Sequence, residues 1–288
     1  MIHNHFYYFS CVAEILRESY NVPILTTHHF FEVWGNKYNY LNKVKRYSIT
    51  SSDVNIFVSE WLFNYVQENI DENMIPNSKV IYNGVDDKCL TSDCIQNVKE
   101  SKVVKILYCG RLARKKGIHV LLKAISLLKS NKTISEELRV EIVGEGQEYN
   151  NLLTLVDELN LNDNVVFTGY LEQSLVYEKM READIMVIPS LEEPFGLVSV
   201  EAMASGAVVI ASNAGGLKEI IVHNENGLLF EPNDESDLAQ KISLVWENED
   251  LKDRLRSGGK LTAKKFDWVQ IAKETSQIYD YMIKNINY

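Results

Sequence analysis

The stretch VVKILYCGRLARKKG, residues 103–117, is an apolar run closed by a glycine and followed at once by a basic turn. A short, nearly unbroken apolar run of this kind reads as a buried parallel strand, and the glycine as the turn that delivers the chain to a helix. Outward from it the same unit recurs. A helix is expected over 118–129, a strand over 139–143 ending in Gly144-Glu145-Gly146, then a helix over 148–159, a strand over 165–167, a helix over 174–182 and a strand over 185–188. A loop over 189–195, a helix over 197–204 stopped by Gly206, a strand over 208–211, a Gly215-Gly216 turn and a helix over 217–222 continue the series. Strand and helix in alternation is the pattern of a doubly wound α/β sheet.

A shorter version of the same rhythm precedes it. Helix 9–18, strand 23–27, helix 41–48, strand 55–58, helix 60–67 and strand 79–82 make about three βα units, after which Asn83-Gly84 gives a turn and the polar stretch 87–101 reads as a linker. The tail 268–286 spaces Ile271, Ile278 and Met282 as one helical face. The expected domains are therefore 1–98, 99–267 and a closing helix within 268–288 that packs back on the first domain.

Two domains agree with the size of the chain, since 288 residues at 45% hydrophobic can bury one large core or two modest ones. A net charge of −10 is a poor global field for a polyphosphate backbone, which argues against nucleic acid as a partner. Cys11, Cys89, Cys94 and Cys109 lie far apart with no C-x-x-C pair, which fits reduced thiols better than a disulfide frame or a thiolate zinc site. No basic leader with a cleavage site opens the sequence, and the longest apolar region, 196–211, is interrupted by Glu201. The expectation is a cytoplasmic protein, at most peripheral at the inner face of a membrane.

Chemistry concentrates in a few places. From Lys102 to Lys116 there are six basic residues and no acidic one. A strand, the Gly110 turn and a helix start would bring Arg111 and Lys116 to the carboxyl edge of the sheet, where α/β folds hold anions, so the segment reads as a diphosphate clamp or as a solvated basic loop. Further on, Glu193 falls in a loop after a strand and Glu201 about one turn into the following helix. Each carboxylate can accept two hydrogen bonds from a vicinal sugar diol, and a glutamate inside an apolar helix is costly unless partnered. Gly215-Gly216, at a strand-to-helix turn, would let backbone amides approach a phosphate, though any tight turn can use such a pair. Four of six histidines (His3, His5, His28, His29) fall in the first 29 residues; without an acidic or cysteine ligand of convincing spacing they are not read as a metal site.

Taken in order, Val58-Ser59-Glu60, the 80–86 turn, Gly110-Arg111-Leu112 through Lys116-Gly117, Val143-Gly144-Glu145-Gly146, the 166–170 strand end, Glu193-Pro194-Phe195-Gly196-Leu197 through Glu201 to Gly206, and Gly215-Gly216-Leu217 resemble the retaining glycosyltransferases of family four. The resemblance implies an α/β protein of GT-B type, with two Rossmann-like domains, the donor domain complete and the acceptor domain partial. It implies transfer of a sugar from a nucleotide-diphosphate donor, UDP-sugar by family frequency, to an acceptor hydroxyl on a sugar, lipid-linked glycan or protein, with retention and without metal or cofactor. By the same resemblance Arg111 and Lys116 would hold the diphosphate. Glu193 would hold donor-sugar hydroxyls, Glu201 the ribose, and Phe195, Gly196 and Leu197 the phosphate or sugar through their amides. Gly169, Tyr170 and Leu171 would meet the base, Gly110, Gly215 and Gly216 the phosphates, and His29 the region of the anomeric carbon.

Two departures from the family pattern stand out. Ala207 replaces a proline after Gly206, and the strand, glycine-rich loop and βα units with which the family begins are not in this sequence. Three readings of that second departure follow: a shortened copy, a half whose missing strands come from a partner chain, or a donor-binding subunit without turnover. Another GT-B sugar-nucleotide enzyme, such as a 2-epimerase, is the alternative among enzymes.

Overall fold

The computed structural model describes residues 1–30, 39–70, 75, 77–86, 103–131 and 138–285. The expected linker 87–101, with Cys89 and Cys94, lies outside the described residues apart from its surroundings. The chain divides into two compact units, Met1–Gly84 with Trp268–Tyr288, and Val85–Asp267.

In the first unit, strands β1 (Ile2–Asn4), β2 (Ile24–His28), β3 (Val54–Phe57) and β4 (Ser78–Val80) alternate with helices α1 (Ser10–Tyr20), α2 (Asn39–Thr50) and α3 (Glu60–Asn69). All pairings are parallel, in the order β1-β2-β3-β4. Every residue of β2 and β3 is buried, as befits the interior strands of a parallel sheet. Ser59 starts α3 by accepting the Leu62 N–H at 3.0 Å, a cap that contributes about 1 kcal/mol.

The second unit contains β5 (Val104–Cys109), α4 (Ile118–Ser130), β6 (Leu138–Val143), α5 (Tyr149–Glu158), β7 (Val165–Gly169), α6 (Gln173–Glu182), β8 (Ile185–Ile188) and α7 (Leu197–Ser205). It continues through β9 (Val208–Ser212), α8 (Leu217–Ile220), β10 (Leu228–Phe230), α9 (Glu235–Glu247) and α10 (Glu249–Ala263). Its strands run parallel in the order β10-β9-β8-β5-β6-β7. One apolar core joins Ile106, Val140, Ile185 and Val208 of the sheet to Leu121 and Ile125 of α4 and Leu238 and Ile242 of α9. Each such side chain contributes roughly 1.5–3 kcal/mol on burial. Finally α11 (Trp268–Asn285) belongs to the first unit, where Ile271 and Met282 join Leu25, Val54, Ile56 and Ile81.

Several elements depart from the sequence reading. The helix expected over 217–222 ends at Ile220, because Asn226 takes over the backbone there: its Nδ2 donates to the Ile220 carbonyl at 2.9 Å and its Oδ1 accepts from Val222 N–H at 2.8 Å. β1, β10, α9 and α10 were not expected. His28 is the last residue of β2 instead of following it, fully buried and bonded through Nε2 to Asn55 Oδ1 at 2.7 Å.

α1 buries only Ser10 and Ala13, while Phe9, Val12, Ile15 and Tyr20 are more than half exposed and Leu16 is 39% exposed. Beside it β1 pairs only with β2, and Asn4 Nδ2 is buried without a hydrogen-bond partner among the described residues. No helix of the described residues is long and apolar enough to cross a membrane.

Candidate active site

In the six-stranded sheet the chain starts at β5 and moves outward first through β6 and β7, then returns to the other side with β8. The crevice between the carboxyl ends of β5 and β8 is thus the switch point, where open α/β sheets bind ligands. The loops that leave these two strands are tied together. Leu191 N–H donates to the Lys115 carbonyl at 2.7 Å, and the Gly117 turn packs so closely that a Cβ there would lie 1.8 Å from the Pro189 oxygen. Gly117 has φ +67°, a conformation that glycine adopts without the Cβ penalty.

Lys116 closes the short 3-10 turn Arg114–Lys116 and reaches across the crevice. Its Nζ donates to Glu193 Oε2 at 2.7 Å, and Ser190 Oγ donates to the same oxygen at 2.9 Å. Glu193 is 8% exposed. Its backbone is held as firmly as its side chain: the Gly216 N–H donates to the Glu193 carbonyl at 2.8 Å, and Gly215, at φ +56°, has no room for a Cβ because that same carbonyl oxygen would lie 2.0 Å away. The glycine pair after β9 therefore shapes the Glu193 loop. Ser212, at the end of β9, donates to the Ser190 carbonyl and ties the third loop in.

Arg111 and Gly110 are exposed at the end of β5, where the buried Tyr108 hydroxyl supports them by donating to the Arg111 carbonyl at 3.0 Å. Burial, with the Glu193 charge nearby, raises the Tyr108 phenol well above its ordinary range and keeps it a donor. Phe195 is buried against Phe266, Gly196 supplies the left-handed entry to α7, and Leu197 is its first residue. Gly169 closes β7 and its carbonyl accepts the Gly144 N–H at 2.8 Å; Tyr170 beyond it is exposed and Leu171 half-buried.

Glu201 is mostly buried on α7, and burial raises its carboxyl above the ordinary range. Tyr177 OH donates to its Oε1 at 3.3 Å, and Gln173 Nε2 donates to Tyr177 OH at 2.5 Å. Lys116, Glu193, Ser190 and the Gly215-Gly216 turn thus form one cluster, and Glu201 with Tyr177 and Gln173 forms a second on the same helix-capped edge. Ser190, Tyr177, Gln173 and Tyr108 had no assigned role in the sequence. Only the Gln173–Tyr177 pair carried a signal, an i,i+4 spacing that brings two polar groups to one helical face.

In the first unit His29 is half-buried just beyond β2, with its Nε2 3.0 Å from His5 Nδ1. Burial and the neighbouring His5 lower His29 to about 4, so it is neutral at pH 7. His3 bonds Tyr279 at 2.6 Å and Thr27 at 2.8 Å. Among the described residues no group of three metal-ligating side chains converges.

Two parallel sheets of Rossmann type, one with a charged pair across its switch point, make this an α/β protein with two Rossmann-like units, the make-up of the GT-B glycosyltransferases that its solved neighbours represent. The family model of glycosyl transferases group 1 matches residues 93–262, and that of glycosyltransferase family 4 matches residues 1–88. The chain belongs to this glycosyltransferase family. It is 31% identical over 286 residues to an uncharacterized glycosyltransferase of Methanocaldococcus jannaschii, a match covering 97% of this chain and 75% of the relative. Sucrose-phosphate synthase from Thermosynechococcus elongatus superposes with TM-score 0.86 at 27% identity, covering 98% of this chain and 73% of that one. Anabaena HepE, solved in complex with UDP, superposes with TM-score 0.80 at 21% identity over 97% of this chain and 78% of its own.

Proposed function

We propose that the chain is a retaining glycosyltransferase that uses a UDP-sugar and acts in the assembly of surface polysaccharide or another glycoconjugate. The observation that carries this reading is the Lys116–Glu193 pair across the β5/β8 crevice at 2.7 Å, with Glu201 on α7, the helix that follows the Glu193 loop. UDP is favoured because the HepE structures contain UDP and UDP-glucose. In this reading Lys116 and Arg111 neutralise the diphosphate as the bond from the anomeric carbon to the phosphate oxygen breaks, where negative charge builds up. Lys116 has three N–H donors, so it can keep Glu193 and still meet a phosphate oxygen. Glu193 holds hydroxyls of the donor sugar. The acceptor oxygen forms the new bond to that carbon and its proton passes to a donor phosphate oxygen, so no protein nucleophile is required.

Because the clamp consists of side chains, UDP binding is expected to be unchanged by chelator. Calorimetry with UDP and GDP, with and without EDTA, checks this; a strict magnesium requirement would overturn it. A mass-spectrometric screen of donors for release of free UDP then tests turnover.

A second reading is favoured by the exposed apolar face of α1: the chain binds the nucleotide-sugar donor without turnover on its own and needs a further polypeptide that covers α1 and supplies strands beside β1. Open parallel edges and exposed apolar faces of this kind drive association. Ile15→Glu together with Val12→Lys is expected to abolish that association in size-exclusion chromatography and leave UDP binding intact. A monomeric parent chain with robust transfer would remove this reading.

A further inference from the structure

The geometry points to Gln173 and Tyr177 as positioning residues that set the orientation of Glu201 and, through it, the preference of this chain for a ribonucleotide over a deoxyribonucleotide donor. The inference rests on the proposed role of Glu201 at the ribose.

Gln173 and Tyr177 are four residues apart on α6 and so share a face. The Gln173 amide nitrogen can only donate and an ionised Glu201 can only accept, so the polarity of the chain between them is fixed. Gln173 Nε2 donates to Tyr177 OH at 2.5 Å, and the phenol proton is thereby directed at Glu201 Oε1, 3.3 Å away. Both side chains lie on α6 and Tyr177 engages Oε1, so the proposed ribose contact is assigned to the second carboxylate oxygen. Without them a carboxylate on a helix whose neighbours Val200, Ala202, Met203 and Ala204 are all buried would have to find a partner elsewhere or take up a proton.

Among the described residues Glu201 makes no ion pair, and the cations on the elements packed against α7 have partners of their own or lie on other faces of those elements. Of the elements packed on α7, β8 and β9 carry no charged residue; α10 carries Lys252, paired with Glu249, Arg256, 3.6 Å from Asp184, and Lys260; and α6 carries Arg181 and Lys179, the latter held by Glu141 at 3.0 Å. β5 presents Cys109, whose thiol is pushed up to about 12 by burial and is neutral. α8 carries Lys218 and Glu219, of which Lys218 is exposed. Gln173 and Tyr177 are therefore the groups that favour the ionised form of Glu201 against its burial.

The sign of the pH effect follows. Burial favours the protonated carboxyl and the α6 hydrogen bonds oppose it, so deleting them makes Glu201 take up its proton at a higher pH. As pH falls, loss of donor affinity should begin earlier in Tyr177→Phe and Gln173→Ala than in the parent. UDP and 2′-deoxy-UDP are titrated calorimetrically into the full chain between pH 5 and 8, with Glu201→Gln alongside. The expected result is a preference for UDP in the parent, no preference in Glu201→Gln, and a preference narrowed by at least about threefold in both α6 variants, as befits the loss of one charge-assisted contact. If Glu201→Gln keeps the parent's preference, the ribose reading fails. If Glu201→Gln loses it while both α6 variants retain the parent's preference and pH profile, the ribose reading stands and the positioning role is overturned. Gln173 is exposed, so its variant folds and decides the matter even where Tyr177→Phe does not. Absence of UDP binding by the parent overturns both.

Discussion

Lys116→Ala is expected to weaken UDP binding by roughly ten- to a hundredfold, the equivalent of one lost charge-assisted contact of about 1.5–3 kcal/mol, while uridine binding changes little. It should also lower the stability of the second unit by about 2 kcal/mol, since it leaves the Glu193 carboxylate with Ser190 in a site that is 8% exposed. These two effects can be separated. Adding Glu193→Gln removes the stranded charge, so the double variant should regain most of the stability and none of the affinity, a coupling that a double-mutant cycle reads directly. Arg111→Ala offers the complementary case: at an exposed residue it should leave stability within about 0.5 kcal/mol and still weaken UDP. Isothermal titration with UDP and uridine, alongside urea unfolding of the single and double variants, measures these effects. Equal losses for uridine and UDP would mean that the basic turn supports the fold and does not hold phosphate.

Gly215→Ala is expected to be strongly destabilising, because it strikes the backbone of the Glu193 loop itself. The added Cβ would sit 2.0 Å from the Glu193 oxygen and 2.8 Å from its carbonyl carbon, at a φ of +56°. The conformational cost of an L-residue there is about 1 kcal/mol, and moving the Glu193 backbone adds the loss of the Gly216–Glu193 hydrogen bond, for a total of about 3 kcal/mol or more. Gly169→Ala is the control. It shares the left-handed backbone at φ +71°, but its nearest neighbour would be Glu145 Oε1 at 3.9 Å, so only the conformational cost of about 1 kcal/mol applies. Urea midpoints of the two variants should differ clearly. If they coincide, the Glu193 loop yields to the methyl group and is not the rigid part described here.

Where the sequence was informative, the reason is burial. The interior strands β5, β8 and β9 are buried nearly throughout and therefore stand out as apolar runs. β1 was not legible because a three-residue strand, Ile-His-Asn, has no period to detect. α9 and α10 were missed for a different cause: their apolar positions are diluted by charge, and α10 carries Gly258-Gly259 in mid-helix. Their caps were visible all the same, since Asp234 accepts from Ser236 and Asp237 and Asn248 from Leu251, the side chains that favour helix starts. At the site, Lys116, Glu193 and Glu201 could be picked out by charge against an apolar or acidic background. Ser190, Tyr177 and Gln173 could not, because what gives them a role is proximity across the fold: Tyr177 and Glu201 are 24 residues apart.

The second unit enters and leaves the chain at adjacent points. Val85 N–H donates to the Phe266 carbonyl at 2.8 Å and Val85 bridges Asp267, while in the first unit a Cβ on Gly84 would meet the Trp268 Cα at 2.9 Å. During translation the first sheet emerges from the ribosome long before α11, the helix that supplies Ile271 and Met282 to its core. The intervening excursion would be a long loop to close if it were slack, although the closure entropy rises only by about 0.6 kcal/mol per doubling of length. Once the inserted unit has folded, that loop is no longer slack: its two ends are already fastened side by side, and the nascent α11 is released within reach of its docking face. The order of synthesis thus becomes an order of assembly, in which the later-made body acts as the clasp that lets the earlier-made one finish.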